Sequence, residues 1–553
     1  MKIKFKSFLE NFVNSPKAVF FGLTIIITLP MWQKGYLFLL DWGVTDIDGL
    51  KYLDFWQQSV ALMSVAIFSS IINFGLYQKL VFVILFFFLG LGGYLFVKEI
   101  IITTNFQAKR NIKEWGKYIG GMLMIINPFI YARAVDGQWL VVVSVLGLLY
   151  MTIYLWRWKR LQEGRDLVIA VVFAVLTVLF SQHAIFFVLE LNCIFFGLLW
   201  IERGDYKIMK WWVVIIGCVL LANINVIIGY LFNLSESSRL VSQFDEAHLH
   251  VFRTIKNGYA SIYTNVLSLH GYWGEGEGRF LSTQEHPFIW QPIFFILFSV
   301  SMMGAWLGRK KVIIKFLILS GGIAYILAMG IESIFAPISK FLYEYMPFYI
   351  GLREPHKWTG VLLICIVGLV SYGALQIMKQ QSKNVYVHIS GLFFIGVILL
   401  YTPTMFWGLR GQIIPQDFPS EWYEVRSRIG CNKIDGKILF LPWHQYMKID
   451  FLNNKKIVNP AKGFFGACVI QGDNMEADNI YTQKFSMETQ IISKYIISSN
   501  LTSNDFASDM KNMSVKYVIL SKSEDFTKYE WLNKISTLKM VYNGNWLVVY
   551  ELN

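Results

Sequence analysis

The feature that most constrains this chain is a succession of apolar runs, each long enough to cross about 30 Å of hydrocarbon as a helix. They fall near residues 18–33, 59–77, 80–97, 118–132, 138–156, 167–181, 184–201, 211–231, 288–308, 312–330, 357–378 and 386–402. A soluble domain has no use for so many, because helices apolar all round have nowhere in water to bury their second face. Across 553 residues, 55% are hydrophobic, 17% aromatic and 16% charged, which excludes an ordinary soluble multidomain protein. The reading is an α-helical polytopic membrane protein, multi-pass in the cell membrane.

The net charge of +13 raises the question of nucleic acid. The Lys and Arg residues lie mostly in short connections between apolar runs, where they set orientation, and no basic face with interleaved aromatics stands outside the apolar part. No nucleic acid partner is expected. Lys2, Lys4, Lys6 and Lys17 assign the N-terminus to the cytoplasm, and the clusters at 157–165, 203–210, 309–315 and 379–383 follow it. Residues 34–58, 133–137, 232–287 and 331–356 are then external, as is the tail from 411 to 553. Twelve full crossings cannot carry the N-terminus inside and the tail outside. One segment between 59 and 117 is therefore expected to be interfacial or re-entrant, for about eleven true crossings in a module covering 1–410.

Beyond residue 410 the hydropathy falls and a small extracytoplasmic α/β domain is expected. Lys437–Leu441 and Val515–Ser521 read as buried strands, Met487–Ile497 as a helix, and Leu538–Leu552 as a hairpin turning at Asn543-Gly544-Asn545. Cys431 and Cys468, both in this tail, can pair if it is extracytoplasmic. Cys193, Cys218 and Cys365 sit in apolar runs as small hydrophobes.

Three polar stretches stand at the ends of apolar runs, where ionisable residues default to function. The first, LDWGVTDIDGLKYLD, brings together Asp41, Asp46, Asp48 and Asp54. Carboxylates at a lipid–water boundary suit a base that takes a hydroxyl proton, or ligands for a divalent cation such as Mg or Mn. Helix capping by TDIDG is the bland alternative. The second stretch, NPFIYARAVDGQW, holds Arg133 for an anionic group and Asp136 for a metal or acceptor; an interfacial Arg paired with Asp136 is the alternative. The third, GLREPHKWTG, sets Arg353, His356 and Lys357 at an external surface, against the positive-inside tendency, where a phosphate or pyrophosphate is the natural ligand. The loop containing LHGYWGEGEG, with His270, Glu275 and Glu277, reads as a mobile lid carrying solvated acids.

In layout, residues 1–410 resemble the GT-C superfamily of integral-membrane glycosyltransferases. The likeness rests on the acidic first loop DWGVTDID, on YARAVDGQW and on the polar tail; YARAVDGQW is similar to the second-loop motif of oligosaccharyltransferase catalytic subunits, with Gln138 where that family has an acid. NPFIYAR, LHGYW and GLREPHKW add a likeness to prokaryotic arabinofuranosyltransferase-related membrane enzymes. The resemblance implies a polyprenyl-phosphate-linked sugar as donor and a surface glycan, lipid or protein as acceptor. It implies Asp46, then Asp48, as base or metal ligand, Asp136 as their partner, and Arg353, with Arg133, His356 and Lys357, facing the donor phosphate. The tail lacks the family's W-W-D acceptor motif, which argues against sequon glycosylation. Two other readings stay open: a transporter or flippase of lipid-linked glycans, and a non-catalytic membrane scaffold for surface-polymer assembly.

Overall fold

The computed structural model describes residues 15–43, 67, 71–232, 241, 244–257, 260–477, 480–482, 487–497 and 503–553. It is mostly helical with a small C-terminal α/β region, and it divides into two compact units. The first comprises Met1–Pro30, Leu80–Ile224 and Phe252–Gln412; the second comprises Met31–Lys79, Asn225–Val251 and Ile413–Asn553.

The helices in chain order are α1 (Pro16–Thr28), α2 (Phe74–Thr103), α3 (Arg110–Ile125), α4 (Pro128–Val135), α5 (Trp139–Leu161), α6 (Gly164–Phe180), α7 (Ile185–Arg203), α8 (Met209–Ala222), α9 (Ile224–Leu231), α10 (Pro287–Gly308), α11 (Val312–Met329), α12 (Thr359–Lys379) and α13 (Asn384–Tyr401). Among the described residues, eight helical segments are long and apolar enough to cross a membrane, or up to nine if the bent pair Tyr206–Ala222 and Ile224–Leu231 is one span. The expected eleven to twelve include runs that fall short of this length or lie outside the described residues. Every expected run outside 59–77 falls on a helix, but Pro16–Trp32 and α6 are each only 17 residues, and α6 carries Arg165 and Asp166 in its first turn. The expected run 59–77 lies largely outside the described residues, and its last residues belong to the 30-residue α2.

The centre of the first unit is α12, buried on almost every face. It packs against α10, and the reason is steric: a Cβ on Gly304 would collide with the Leu369 carbonyl, and one on Gly373 with the Val300 carbonyl. Without side chains at those points the two backbones close on one another, the usual device where apolar burial alone cannot drive association. The outward faces of α6, α7, α10 and α13 present Val168, Val172, Trp200, Ile201, Phe295, Trp306, Ile389 and Phe393. So wide an apolar exterior suits lipid and not water. Two ion pairs tie bundle helices together: Arg160 binds Glu99 through two nitrogens, at 2.9 and 3.1 Å, and Lys159 meets Glu202 at 2.6 Å.

In the second unit nine strands follow in chain order, β1 (Lys437–Leu441), β2 (Tyr446–Ile449), β3 (Lys455–Val458), β4 (Val469–Ile470), β5 (Met475–Ala477), β6 (Ile480–Thr482), β7 (Val515–Ser521), β8 (Leu538–Asn543) and β9 (Leu547–Leu552) among the described residues; five form a sheet in the order β4-β1-β7-β9-β8, and β2-β3 and β5-β6 are separate pairs. The expected strands, hairpin and Met487–Ile497 helix are all present. The apolar runs KILFL and VKYVILS lie side by side in parallel, buried on both faces as such runs require. Cys431 and Cys468 form a disulfide. Tyr36 to Trp42 also belongs to this unit: Phe38 packs edge-on to Phe418 at 5.0 Å, Val458 donates to the Leu40 carbonyl, and the Tyr446 hydroxyl reaches Asp41 at 3.2 Å.

Candidate functional site

The second and third polar stretches come together at one end of the first unit. Asn127 starts the arrangement. Its Oδ1 caps α4 by accepting from the Ile130 N–H at 2.9 Å, while its Nδ2 donates to the Leu123 and Met124 carbonyls at the end of α3. One side chain thus satisfies both helix ends, and Pro128 at the first helical position fixes the break. Asp136 ends α4, Gly137 at φ +80° turns the chain, and Trp139 opens α5. This places Arg133, Asp136 and Gln138 on one tight reversal.

Arg133 is completely buried. Its Nη1 donates to Glu354 Oε2 at 2.8 Å and to Gln138 Oε1, its Nη2 meets His356 Nδ1 at 3.0 Å, and the guanidinium lies 4.1 Å from the Tyr272 ring centroid. Arginine can only donate, so His356 Nδ1 accepts; the His270 carbonyl, 3.0 Å from His356 Nε2, can only accept. His356 is therefore fixed as the neutral Nε2–H tautomer. Buried Asp136 accepts from the Tyr272 hydroxyl at 2.7 Å and faces Arg279 Nη1 at 3.6 Å, while Gln138 Nε2 donates to the same hydroxyl at 3.1 Å. The adjacent Arg133 and Asp136 thus have different partners, and the pairing of Arg133 with Asp136 gives way to Arg133 with Glu354.

Glu354 precedes the turn Pro355–Trp358 that leads into α12. Burial alone would raise its carboxyl, but Lys357, Arg133 and Arg353 together hold it well below the usual carboxylate range. Lys357 Nζ is 3.7 Å from it, and Arg353 lies over the Phe252 ring at 4.5 Å. Both cations are half-buried at the edge of the network. His183, at the start of α7, lies within electrostatic reach of Lys357, Glu354, Arg133 and Arg353. Counting Arg133, Arg279, Arg353 and Lys357 against Asp136, Glu277 and Glu354, the described residues of the cluster carry one more positive charge than negative.

The segment expected to be a mobile lid is packed into this network instead. His270, Tyr272 and Trp273 are buried, and His270 bonds to the Ser268 and Thr283 hydroxyls. The turn that tucks them in uses Leu269 at φ +62° and Gly271 at φ +100°. Burial pushes the His270 imidazole down to about 3. Glu275 bonds to Ser282, and of the acids only Glu277 is exposed, paired with Arg279 at 2.7 Å. Tyr272 and Arg279 were not singled out from the sequence; the aromatic pair Tyr272-Trp273 inside a polar, Gly-rich loop is the signal that points to them. Beside the loop, an apolar cavity of about 300 Å³ is walled by Leu267, Leu269, Phe294, Phe298, Cys365 and Tyr401.

Asp46 and Asp48 lie outside the described residues, as does Asp54. Among the described residues, no group of three or more His, Cys, Asp or Glu side chains converges on a point that would hold a metal ion. Asp136 alone does not fit a divalent cation, since Oδ2 accepts from Tyr272 and faces a guanidinium. No protein-family model matches the chain, and comparison with curated proteins yields no match.

Proposed function

We propose that this protein is a membrane glycosyltransferase of the GT-C kind, moving a sugar from a polyprenyl-phosphate donor to a glycan, lipid or protein acceptor at the external face. The observation that carries the reading is the meeting of YARAVDGQW and GLREPHKW in one network with surplus positive charge at a helix-bundle end. Such a place attracts a phosphate. The neighbouring apolar cavity supports a donor with a lipid chain, and the Cys431–Cys468 disulfide supports an oxidising, extracytoplasmic setting for the tail.

In this reading Arg353 and Lys357, at the edge of the network, bind the donor phosphate. Arg133, held by Glu354 and His356, keeps them in register. As the acceptor hydroxyl attacks the anomeric carbon, its proton passes to a carboxylate, Asp46 or Asp48 of the first loop or Asp136. The bond from that carbon to the phosphate oxygen breaks, and the cations stabilise the polyprenyl phosphate that leaves. A divalent cation would require Asp48 beside Asp136.

The test is the surface-glycan mass profile of cells carrying Arg353→Gln with Lys357→Gln, compared with wild type and a deletion strain at matched protein levels. Loss of the same sugar as in the deletion supports transfer. A wild-type profile from the double variant overturns it. One observation favours transport as a second reading: Glu190 on α7 is a buried carboxyl with no cationic partner among the described residues, the kind of group that relays protons. A transporter would leave lipid-linked glycan accumulated inside the cell when disabled.

A further inference from the structure

A second cavity lies at the other end of α3. Arg110 opens the helix and Arg133 lies in the last turn of α4, which follows it across the break at Asn127, roughly 34 Å along the axis at 1.5 Å per residue. That is about the hydrocarbon thickness of a bilayer, so a membrane crossed by this segment would have the cavity and the network just described at opposite faces. It measures about 930 Å³ and its polar end is formed by Arg110, Trp115, Tyr118 and His388.

Both helices that line it grade from polar to apolar in the same direction. Along α3 the lining residues run Arg110, Trp115, Tyr118, Met122; along α13 they run His388, Leu392, Ile395. The two helices start at the same end, where Lys109 Nζ reaches the Ser382 carbonyl and Asn384 Oδ1. The aromatic walls are set by contacts of their own. Trp115 Nε1 donates to His388 Nδ1 at 3.1 Å, and Tyr94 and Tyr118 meet edge to face at 5.3 Å. Tyr and Trp in this position mark headgroup depth.

The charge at the polar end is positive. Glu114 is the acid there, and Lys117 Nζ at 2.6 Å and the Tyr94 hydroxyl at 2.7 Å already engage it. Lys109, Arg110 and Lys113 remain within one helical turn of one another. The N-terminal residues Lys2, Lys4 and Lys6 carry the same sign, so the chain's own start is a poor occupant.

We propose that this cavity binds one phospholipid of the adjoining leaflet with an anionic headgroup, its phosphodiester at Arg110 and an acyl chain along Leu392 and Ile395. The inference does not depend on what reaction occurs at the opposite face.

The experiment is native mass spectrometry of the full-length protein in detergent, titrated with dioleoyl phosphatidylglycerol or dioleoyl phosphatidylcholine. One phosphatidylglycerol should bind in preference to phosphatidylcholine, and Arg110→Glu with Lys113→Glu should weaken it roughly tenfold or more, given what each interfacial cation contributes. Lys310→Glu with Lys311→Glu, a charge-matched reversal elsewhere in the chain, should leave that binding unchanged. Ile395→Trp, which fills the apolar end, should lower it without any change in charge. Equal binding of the two lipids, equal weakening by the two reversals, or undiminished binding by Ile395→Trp would each overturn the proposal.

Discussion

Arg133 and Glu354, 221 positions apart, form a buried ion pair at 2.8 Å that joins the break between α3 and α4 to the start of α12. Taking two charges out of water is expensive, and the structure offsets this by giving the guanidinium Gln138 and His356 as further acceptors and the Tyr272 ring as a face. The pair is therefore a conditional asset: stable when complete, costly when halved.

The losses from removing the two partners should not add. Glu354→Gln leaves the buried Arg133 without its carboxylate and should cost about 3–5 kcal/mol; Arg133→Met, with Lys357 and Arg353 still beside Glu354, should cost less; and Arg133→Met with Glu354→Leu should cost less than the two single changes added together. A double-mutant cycle on thermal unfolding of the detergent-solubilised protein measures this. Additive losses would mean that the two side chains do not act as a pair.

Tyr272→Phe keeps the ring under Arg133 but deletes the hydroxyl that donates to Asp136 and accepts from Gln138. The buried carboxylate loses a donor, so the expected cost is about 1–3 kcal/mol. Unfolding of this variant beside Tyr272→Leu separates the hydroxyl from the ring: Leu should be the more damaging of the two, because it also removes the cation–π contact.

The spans and the tail strands were legible because their cause is local. An apolar run of 18 or more residues, or KILFL between polar neighbours, carries its own evidence. The network was half legible. Arg133, Asp136, Arg353, His356 and Lys357 stood out because charges are rare beside apolar runs, yet nothing in the local pattern says that Arg133 pairs with Glu354 while Asp136 faces Arg279. That choice is made by the turn at Gly137 and by the packing of α12, which are tertiary. The stretch LHGYWGEGEG misled for a physical reason: glycines and acids look solvated, but here positive φ at Leu269 and Gly271 folds the aromatic half inward and leaves Glu277 alone outside. The bend between α8 and α9 and the shortness of α1 and α6 were equally invisible to hydropathy, which sums composition over a window and is blind to where a helix stops.

Acid should loosen the loop that closes the network. His270 is buried and its imidazole is held down to about 3, against an ordinary value near 6.5. In the unfolded chain it takes up a proton below that ordinary value, whereas in the folded chain it stays neutral until far lower pH. The unfolded state then binds more protons, so stability falls as pH drops from about 6.5 towards 3, by up to about 1.4 kcal/mol per unit. Glu354 adds its own loss only below the ordinary carboxylate range, because its folded value is depressed. Thermal unfolding from pH 7 to pH 5 should therefore decline in the wild type and decline less steeply in His270→Asn. A slope unaltered by the substitution would assign the acid sensitivity to another group.

The disulfide should matter to the second unit alone. Cys431 and Cys468 enclose a loop of 37 residues that contains β1 and ends just before β4, neighbours in parallel within the sheet. On the chain-entropy account, cross-linking a loop of that length stabilises by about 4 kcal/mol. Gly466, at φ +122° with no room for a Cβ against Cys431, shows how closely the chain doubles back there. Cys431→Ser with Cys468→Ser should therefore expose the tail to limited proteolysis between residues 431 and 470 at temperatures where the wild type resists, while fragments from 80–224 remain protected. Two free thiols in the wild-type tail on mass spectrometry after alkylation under denaturing, non-reducing conditions would contradict the bond itself. Equal protease resistance with and without the cysteines would mean that the sheet holds the loop unaided, and that the link contributes little beyond the packing of Ile438 and Leu439 against Val469 and Ile470.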